Sequence, residues 1–521
     1  MRNSALFNYT KSAYKDFLAL IDKKNYIFRA TLCNPDGIKV DLYKSAIKEL
    51  YLNENIDSPF VEGHIIVDNR EDTIERYVSD PVESELDSNI KQVRGYRTRG
   101  DGRDLLLLTI LPVLDGQNPY DQGSENFNKM FGFQYVFVLT NEQDIIEDTG
   151  KFKKYELIDV DYQLLKRKIF FSSIDLLNNR EVSDLSNDAR SVKTGLILKR
   201  IIQSGLDDDT SVFTVLSGGE KITPYFEDGL APLFYSSPAD SLAIDDLNYV
   251  RGLHVSNSDA KDFSVLDKDP FTGEYTLESM STIFSKAFNK DNDSGGAYFI
   301  ENLTITGGQS NNNVVVNDAK KPLKALEFGE ISDVFEIKFF NAPGEIYQDR
   351  IQTMLIHSYD FLNKHFHINC KDGNVENVKK DFTSFYVNPM KGKNNSPAPN
   401  LIINNSQKKN LNYDNDFIVY DNHTDFLKLS IGRNKILKNA LMLNLGVEIM
   451  VQGSLSRRSG RFISVDRTGN YIDNDFDNKF LGIYLIINVE HFFTNDDQYM
   501  NKIIAVKTYQ FKDLKSNENV P

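Results

Sequence analysis

Val447, Ile449 and Val451 alternate with Glu448, Met450 and Gln452 up to Gly453, the period-2 pattern of a strand buried on one face. A polar turn follows from Ser454 to Gly460, and then a short strand from Phe462 to Val465. After an Asp/Asn-rich excursion, Tyr471 to Asn478, the run from Phe480 to Phe493 places Leu481, Ile483, Leu485, Ile487 and Val489 on one face. A fourth strand, Lys502 to Phe511, completes the set. Four strands joined by polar loops predict a small antiparallel barrel or sandwich.

The same alternation fills the first third of the chain. Tyr26 to Leu32, Gly37 to Leu42, Gly63 to Asp68, the apolar end of Arg94 to Pro112, Phe133 to Asn141 and Tyr155 to Leu165 amount to one barrel's worth of strands. The period changes at Ser186 to Gln203, where Val192, Leu196, Lys199 and Ile202 fall at helical spacing and Gly205 is placed to end the helix. Ser237, Pro238 and Asp240 supply a cap ahead of a helix carrying Leu242, Leu247, Val250 and Leu253. Phe263 to Leu277 reads as a hairpin around Asp269 to Gly273, and Glu278 to Phe288 as a short helix. Strand character returns at Val334 to Phe340, Ile351 to Phe366 is predicted helical, and Phe426 to Leu443 reads as an amphipathic helix leading into the last barrel.

This layout predicts an α+β, mainly β fold with two antiparallel β-barrel domains and a mixed α+β domain between them. The boundaries fall at 1–185, 186–325 and 326–521. Polar, Asn-rich stretches mark the loop at 289–325 and an insertion near 371–416.

Composition narrows the functional classes. At 521 residues the chain holds enough sequence for two to four domains, and its 40% hydrophobic and 26% charged fractions are those of a globular protein. No apolar run has the length of a membrane span, and Met1 to Tyr9 lacks the layout of a signal peptide. Cys33 and Cys370 are too few for a disulfide framework and too isolated for a zinc site. The net charge of −15 argues against DNA coating, which needs a basic face, but suits a surface that DNA must pass without sticking.

The motifs that invite a catalytic or binding reading have plainer ones. Leu216-Ser217-Gly218-Gly219-Glu220 is close to an ABC ATPase signature, but the chain contains no Gly-Lys-Ser/Thr phosphate loop, so a turn is preferred. Arg99-Gly100-Asp101 is a turn before an apolar strand. His357, His365 and His367 have no further ligand to complete a metal set, and Asp473, Asp475 and Asp477 lack the glycine and bidentate acid of a calcium loop. Among 75 acidic residues no carboxylate pair stands out as general acid and base. No cofactor, metal or catalytic residue is predicted.

The helix around Arg433 to Leu443, the strand VEIMVQG, the SRRSGRFISV turn and strand, KFLGIYLIINVEHFF and the closing IIAVKTYQF resemble the C-terminal barrel of the central baseplate hub proteins of contractile-tailed bacteriophages. The spike proteins of type VI secretion systems share that barrel. Gly482, Tyr484, Ile486, Val489, His491 and Phe493 stand in the family's order, and the early strands resemble the hub's first barrel. The long polar stretches at 289–325 and 371–416 depart from a minimal hub. The resemblance implies a non-enzymatic virion protein, a homotrimer that presents six barrels and adapts a sixfold tail tube to a threefold central spike.

It further implies tube, spike, tape measure and surrounding baseplate proteins as partners, assembly in the host cytoplasm, and DNA passing through the channel without specific binding. Arg457, Arg458 and Arg461 are candidate docking residues toward an acidic neighbouring subunit, with a solvated turn as the alternative. Tyr484 and His491 join them as interface candidates, His491 being read first as a packed residue. The rival readings are a receptor- or glycan-binding tail component and a tail-associated cell-wall hydrolase. The hydrolase would need a catalytic domain, for which the ten residues after Phe511 leave no space.

Overall fold

The computed structural model describes residues 26–35, 38–42, 46–70, 74, 96, 98, 102–112, 133–148, 150–170, 192–206, 225–227, 229, 232–233, 240–254, 264–270, 275–280, 282–283, 300–306, 334–340, 356–360, 365–369, 417–420, 445–455, 457–468, 480–494 and 499–510. The predicted helix at Phe426 to Leu443, the Leu216 to Glu220 and Arg99 to Asp101 motifs and the Asp473 to Asp477 run lie outside these residues.

The N-terminal third supplies β1 (Tyr26–Cys33), β2 (Lys39–Leu42), β3 (Ile47–Asn55), β4 (Ser58–Asp68), β5 (Leu105–Pro112), β6 (Phe133–Glu147) and β7 (Gly150–Asp159). The middle holds α1 (Val160–Arg167), β8 (Ile169–Phe170), β9 (Val192–Lys193), α2 (Thr194–Leu206), β10 (Tyr225–Phe226), β11 (Pro232–Leu233), β12 (Ser241–Leu242), α3 (Ala243–Leu253), β13 (Ser264–Lys268) and β14 (Tyr275–Ser279). The last part comprises β15 (Ile300–Thr306), β16 (Val334–Phe340), β17 (Ile356–Asp360), β18 (His365–Asn369), β19 (Phe417–Tyr420), β20 (Gly446–Gln452), β21 (Phe462–Thr468), β22 (Gly482–Thr494) and β23 (Tyr499–Gln510).

The mainly-β character is as predicted, but the two β-rich halves are not separate in hydrogen bonding. They form one 13-stranded sheet in the order β16-β20-β23-β22-β3-β4-β7-β6-β5-β1-β2, with β21 against β22 and β15 parallel to β21. β22 makes the join. Its first residues pair with β21, its later ones (Asn488 to Thr494) pair with β3, and β23 runs along its other side. In its pairing with β23 the strand has irregularities at Ile483/Tyr484 and Ile486/Asn488, and the second falls between the stretches paired with β21 and β3, as bulges do where a strand bends between partners. Leu455, Phe493 and Tyr499 consequently pack in the same core as Leu50, Leu52 and Phe137 from the N-terminal strands.

Several predicted boundaries are corrected. The strand read from Tyr155 to Leu165 ends at Asp159, whose carboxylate accepts the Asp161 N–H at 2.8 Å and so caps α1. The helix read from Ser186 begins at Thr194 and runs through Gly205, where a β-carbon would lie 2.3 Å from Leu165 Cδ2. Close helix packing, not a cap, is what this glycine serves.

The helix read from a Ser237–Asp240 cap starts at Ala243 instead. Its first N–H donates to the Lys168 carbonyl at 2.9 Å, so strand pairing between β12 and β8 replaces the side-chain cap. Ile351 to Phe366, read as a helix, holds β17 and the first two residues of β18, which pair antiparallel. Aromatic and β-branched residues such as Ile356, Tyr359, Phe366 and Ile368 lose rotamer freedom in helices and favour strands. The hairpin read from Phe263 to Leu277 is present as β13 and β14, paired antiparallel.

The three helices and the β13–β14 hairpin share a core of Leu198, Ile202, Leu247, Leu266 and Leu277, and Phe60 from β4 enters it. No helix among the described residues is long and apolar enough to cross a membrane.

Candidate functional site

The turn between β20 and β21 carries the three arginines predicted for docking. It is tied by main-chain hydrogen bonds at its start, Gly453 N to Tyr499 O at 2.7 Å, and at its end, where Arg461 N donates to Arg458 O at 3.3 Å, Gly460 N to Ile486 O at 2.8 Å and Ile486 N to Arg461 O at 2.8 Å. Gly460 adopts φ +77°, and a β-carbon there would lie 3.0 Å from Val265 Cγ1. Gly460→Ala should therefore cost about 1–2 kcal/mol from the left-handed backbone and the tight contact together, read as a lowered midpoint in urea denaturation. A midpoint equal to wild type would show that the turn tolerates the strain.

The turn is not solvated. Arg457, Arg458 and Arg461 are all buried, at 3%, 6% and 9% exposure. Their acidic partners come from elsewhere in the same chain. Arg458 Nη2 and Nη1 reach the Asp267 carboxylate of β13 at 2.9 and 3.3 Å, a two-pronged contact, while its Nε faces Glu54 Oε2 of β3 at 3.4 Å. Its Nη2 also donates to the Lys268 carbonyl at 2.7 Å, and Arg461 Nη2 takes Asp267 Oδ2 at 2.8 Å. One guanidinium thus links the C-terminal turn, an N-terminal strand and the middle hairpin.

Burial alone would lower the Arg458 pKa, but Asp267 and Glu54 more than reverse this and hold it above its ordinary value. Burial pushes the Glu54 carboxyl up, and Arg458 beside it does not fully cancel that.

Asp267 and Lys268 are neighbours on β13 with different partners. Lys268 Nζ lies 2.9 Å from both oxygens of Asp159 and 2.7 Å from Asp161 Oδ2 at the start of α1, and Tyr275 donates to Asp161 at 2.7 Å. Burial raises the Asp159 pKa to about 6 against the pull of Lys268. The strand pair β13–β14 is therefore held between the arginine turn and the first helix by charge on both sides.

Next to the arginines, His491 and Tyr484 of β22 are also inside the chain, at 1% and 0% exposure. The Tyr484 hydroxyl donates to the Phe480 carbonyl. Asn501 Oδ1 accepts from Ser454 N at 2.6 Å and Arg457 Nη1 at 3.0 Å, so its amide nitrogen is the atom that faces His491 Nδ1, at 2.9 Å. His491 Nδ1 is then an acceptor, also within 2.8 Å of the Tyr499 hydroxyl. The proton of the neutral ring sits on Nε2, 3.8 Å from Glu54 Oε1. Burial first, then Arg458 and Arg457, lower the His491 pKa to about 3.

All five predicted site residues therefore fall on the arginine turn or on β22, and four of them meet in one buried network. The network holds a structure; it offers no exposed nucleophile or open acid–base pair. Sequence reasoning missed Glu54, Asp267 and Asn501, its partners in the network. Of the three histidines weighed for a metal, His357 lies in β17 opposite Ile368, while His365 and His367 lie in β18 opposite Asp360 and Ser358.

The sequence matches no protein-family model and no curated protein. Solved structures do resemble it. A tail protein from Neisseria meningitidis MC58 aligns over 93% of this chain and 99% of its own, at 6% identity and a TM-score of 0.45. A prophage MuSo2 tail protein from Shewanella oneidensis aligns over 92% and 98%, at 7% identity and a TM-score of 0.41. An E. coli protein, described as a type VI secretion component structurally similar to T4 bacteriophage tail proteins, aligns over 89% and 75%, at 8% identity and a TM-score of 0.34. Over 89–93% of its length the chain is similar to two tail proteins, one of them from a prophage, and to a type VI secretion component.

Proposed function

We propose that this chain is a structural protein of a phage tail: a baseplate hub that assembles as a homotrimer, joins the tail tube to the central spike and encloses the channel for the genome. One observation carries the reading. The stretch that bears the hub-like order Gly482, Tyr484, Ile486, Val489, His491 and Phe493 forms a single long strand, β22, which binds the two β-rich halves into one sheet.

A tile for a ring under mechanical load needs its halves fixed relative to each other. The β22–β3 ladder and the Arg458 junction fix them by main-chain hydrogen bonds and by buried charge. In this reading the halves are two tube-like barrel domains, 1–185 and 326–521, flanking the mixed domain at 186–325. Six such barrels in a trimer would meet a sixfold tube. A share of the −15 charge on the channel wall would repel DNA phosphates and let the strand slide.

Light scattering on the purified full chain should give a mass of three copies or a multiple of three, with rings visible by electron microscopy. A stable monomer that binds sugar, or a preparation that degrades cell wall, would replace the hub with one of its rivals. A neutral or basic channel lining in the assembled ring would remove the sliding role.

A further inference from the structure

The two halves of the large sheet carry the same ladder twice. β4 pairs with β7 from Glu62↔Ile158 to Asp68↔Phe152, and β20 pairs with β23 from Gly446↔Val506 to Gln452↔Met500, both antiparallel and over equal lengths. When these ladders are laid over each other, their irregularities coincide. The shift between Ile47 and Glu49 of β3 falls on that between Val334 and Glu336 of β16, and the shift between Leu139 and Asn141 of β6 falls on that between Ile486 and Asn488 of β22. Leu139 N donates to Asp104 O as its counterpart Ile486 N donates to Arg461 O. β3, β4, β7, β6 and β5 thus correspond to β16, β20, β23, β22 and β21, in the same order along the sheet.

The counterparts β22 and β6 differ in what their later residues do. Past its irregularity β22 pairs with β3, from Asn488↔Asn55 to Thr494↔Glu49. β6 pairs with β5 only as far as Val138, and its stretch corresponding to the joining part of β22, Asn141 to Glu147, has exposed or half-buried side chains throughout. Ile146 is the counterpart of Phe493. Phe493 is 3% exposed, in the core shared by the two halves, whereas Ile146 is 81% exposed, the most exposed of the large apolar side chains among the described residues.

The repeat names what covers it. Within the chain β22 joins β3; β6 is the counterpart of β22 and β16 the counterpart of β3, so the corresponding join is between β6 and β16. In one chain these two strands stand at opposite ends of the row β16-β20-β23-β22-β3-β4-β7-β6 and do not pair, so the partner is a second copy of this chain. In the repeated register Ile146 faces Ile337 of that copy, as Phe493 faces Leu50. Cross-strand apolar pairs of this kind stabilise a ladder. Glu147 would face Glu336, but each already has a lysine of its own chain, Lys48 at 2.7 Å and Lys338 at 2.9 Å.

We infer that the outer stretch of β6, Asn141 to Glu147, is the strand by which one copy of this chain joins the next, docking on its β16 and repeating between chains the β22–β3 join made within each. The contact uses a different surface on each side, so it builds a ring when the rotation closes, not a two-fold pair. That the ring closes at three copies rests on the hub reading. Three joins within chains and three between them then alternate around it.

Cysteine cross-linking of the full chain tests this. Under mild oxidation the double variant Ile146→Cys, Ile337→Cys should give chains linked to one another on a denaturing gel, and reductant should separate them. Neither single variant should link, which controls for the native Cys33 and Cys370. Ile146→Lys places a charge in the apolar join and should weaken association about tenfold or more in light scattering over a concentration series, whereas Ile146→Val should keep the wild-type mass. Because Ile146 is exposed within the chain, the circular dichroism of Ile146→Lys should match wild type.

Three copies in wild type and linked chains in the double variant support both the contact and the hub. Three copies with no link between positions 146 and 337 overturn the contact and leave the hub standing, as does a folded Ile146→Lys that keeps the wild-type mass. Linked chains in an assembly of another number support the contact and overturn the three-copy ring. A wild type that stays a monomer at every concentration overturns both.

Discussion

Arg458→Met should destabilise the folded chain by about 3–5 kcal/mol, because it leaves the Glu54 and Asp267 carboxylates buried without the guanidinium that faces both. The size of the effect comes less from the lost attraction than from the charge left behind. Neutralising the two acids should therefore recover much of it: Arg458→Met with Glu54→Gln and Asp267→Asn leaves no uncompensated charge, although Arg461 then loses its Asp267 partner. Glu54→Gln alone should cost less than Arg458→Met, since Arg458 keeps its Asp267 partner and no carboxylate is left facing an apolar replacement.

Urea denaturation of the four proteins, followed by circular dichroism, reads the order directly. A single mutant within about 0.5 kcal/mol of wild type, or a triple mutant no better than the single, would mean that the junction is not what holds the three parts together. Because Arg458 links β3, β13 and the β20–β21 turn, the single mutant should also lose cooperativity, with the C-terminal strands unfolding apart from the N-terminal ones.

The sequence made the outer shape of this junction legible but not its inner half. Alternation of Val447, Ile449 and Val451 and of the residues in β22 placed the C-terminal strands within a few residues, since one face of each is buried in a single core. The arginine turn was visible as a cluster, but it was read as docking on a neighbouring subunit or as a solvated turn, not as facing acids of its own chain. The intrachain acids that face it could not be read, because Glu54 and Asp267 are two among 75 acidic residues and lie 404 and 191 positions from Arg458.

β3 was missed for a related reason. Its buried positions are Ile47, Leu50, Leu52 and Glu54, with register shifts near both ends, so the alternation is broken at one end by a bulge and at the other by a charge. The strand hidden in this way is the one that joins the two halves. Helix starts were misplaced where long-range strand pairing, such as the Lys168 carbonyl bound by Ala243, took over from local caps.

His491 should make the same junction sensitive to acid. Its folded pKa is about 3, against about 6.5 in an unfolded chain, so between these values the unfolded state binds a proton that the folded state refuses. The stability this represents is fully present above pH 6.5 and is lost as pH falls toward 3. Over the window from 6.5 to 4 the loss is about 3 kcal/mol.

Asp159 works in the opposite direction. Its folded pKa of about 6 lies above the unfolded value near 3.8, so the folded state takes up a proton first and stability is gained as pH falls through that interval. Glu54, also pushed up, adds to the gain. Wild-type stability alone will therefore understate the histidine.

The difference between wild type and His491→Asn isolates it, because Asn can place an acceptor near Nδ1 for Asn501 and Tyr499 but has no proton to gain. The stability advantage of wild type over His491→Asn should be constant above pH 6.5 and shrink by about 3 kcal/mol by pH 4. An advantage that stays level with pH would mean that the ring is reached by water or takes its proton without unfolding. Protonation in place would put a cation against Arg457 and Arg458, at the point where the turn crosses β22. Acid should therefore open the chain at this junction before the helical core around Leu198 and Leu247, which lies in a separate cluster, gives way.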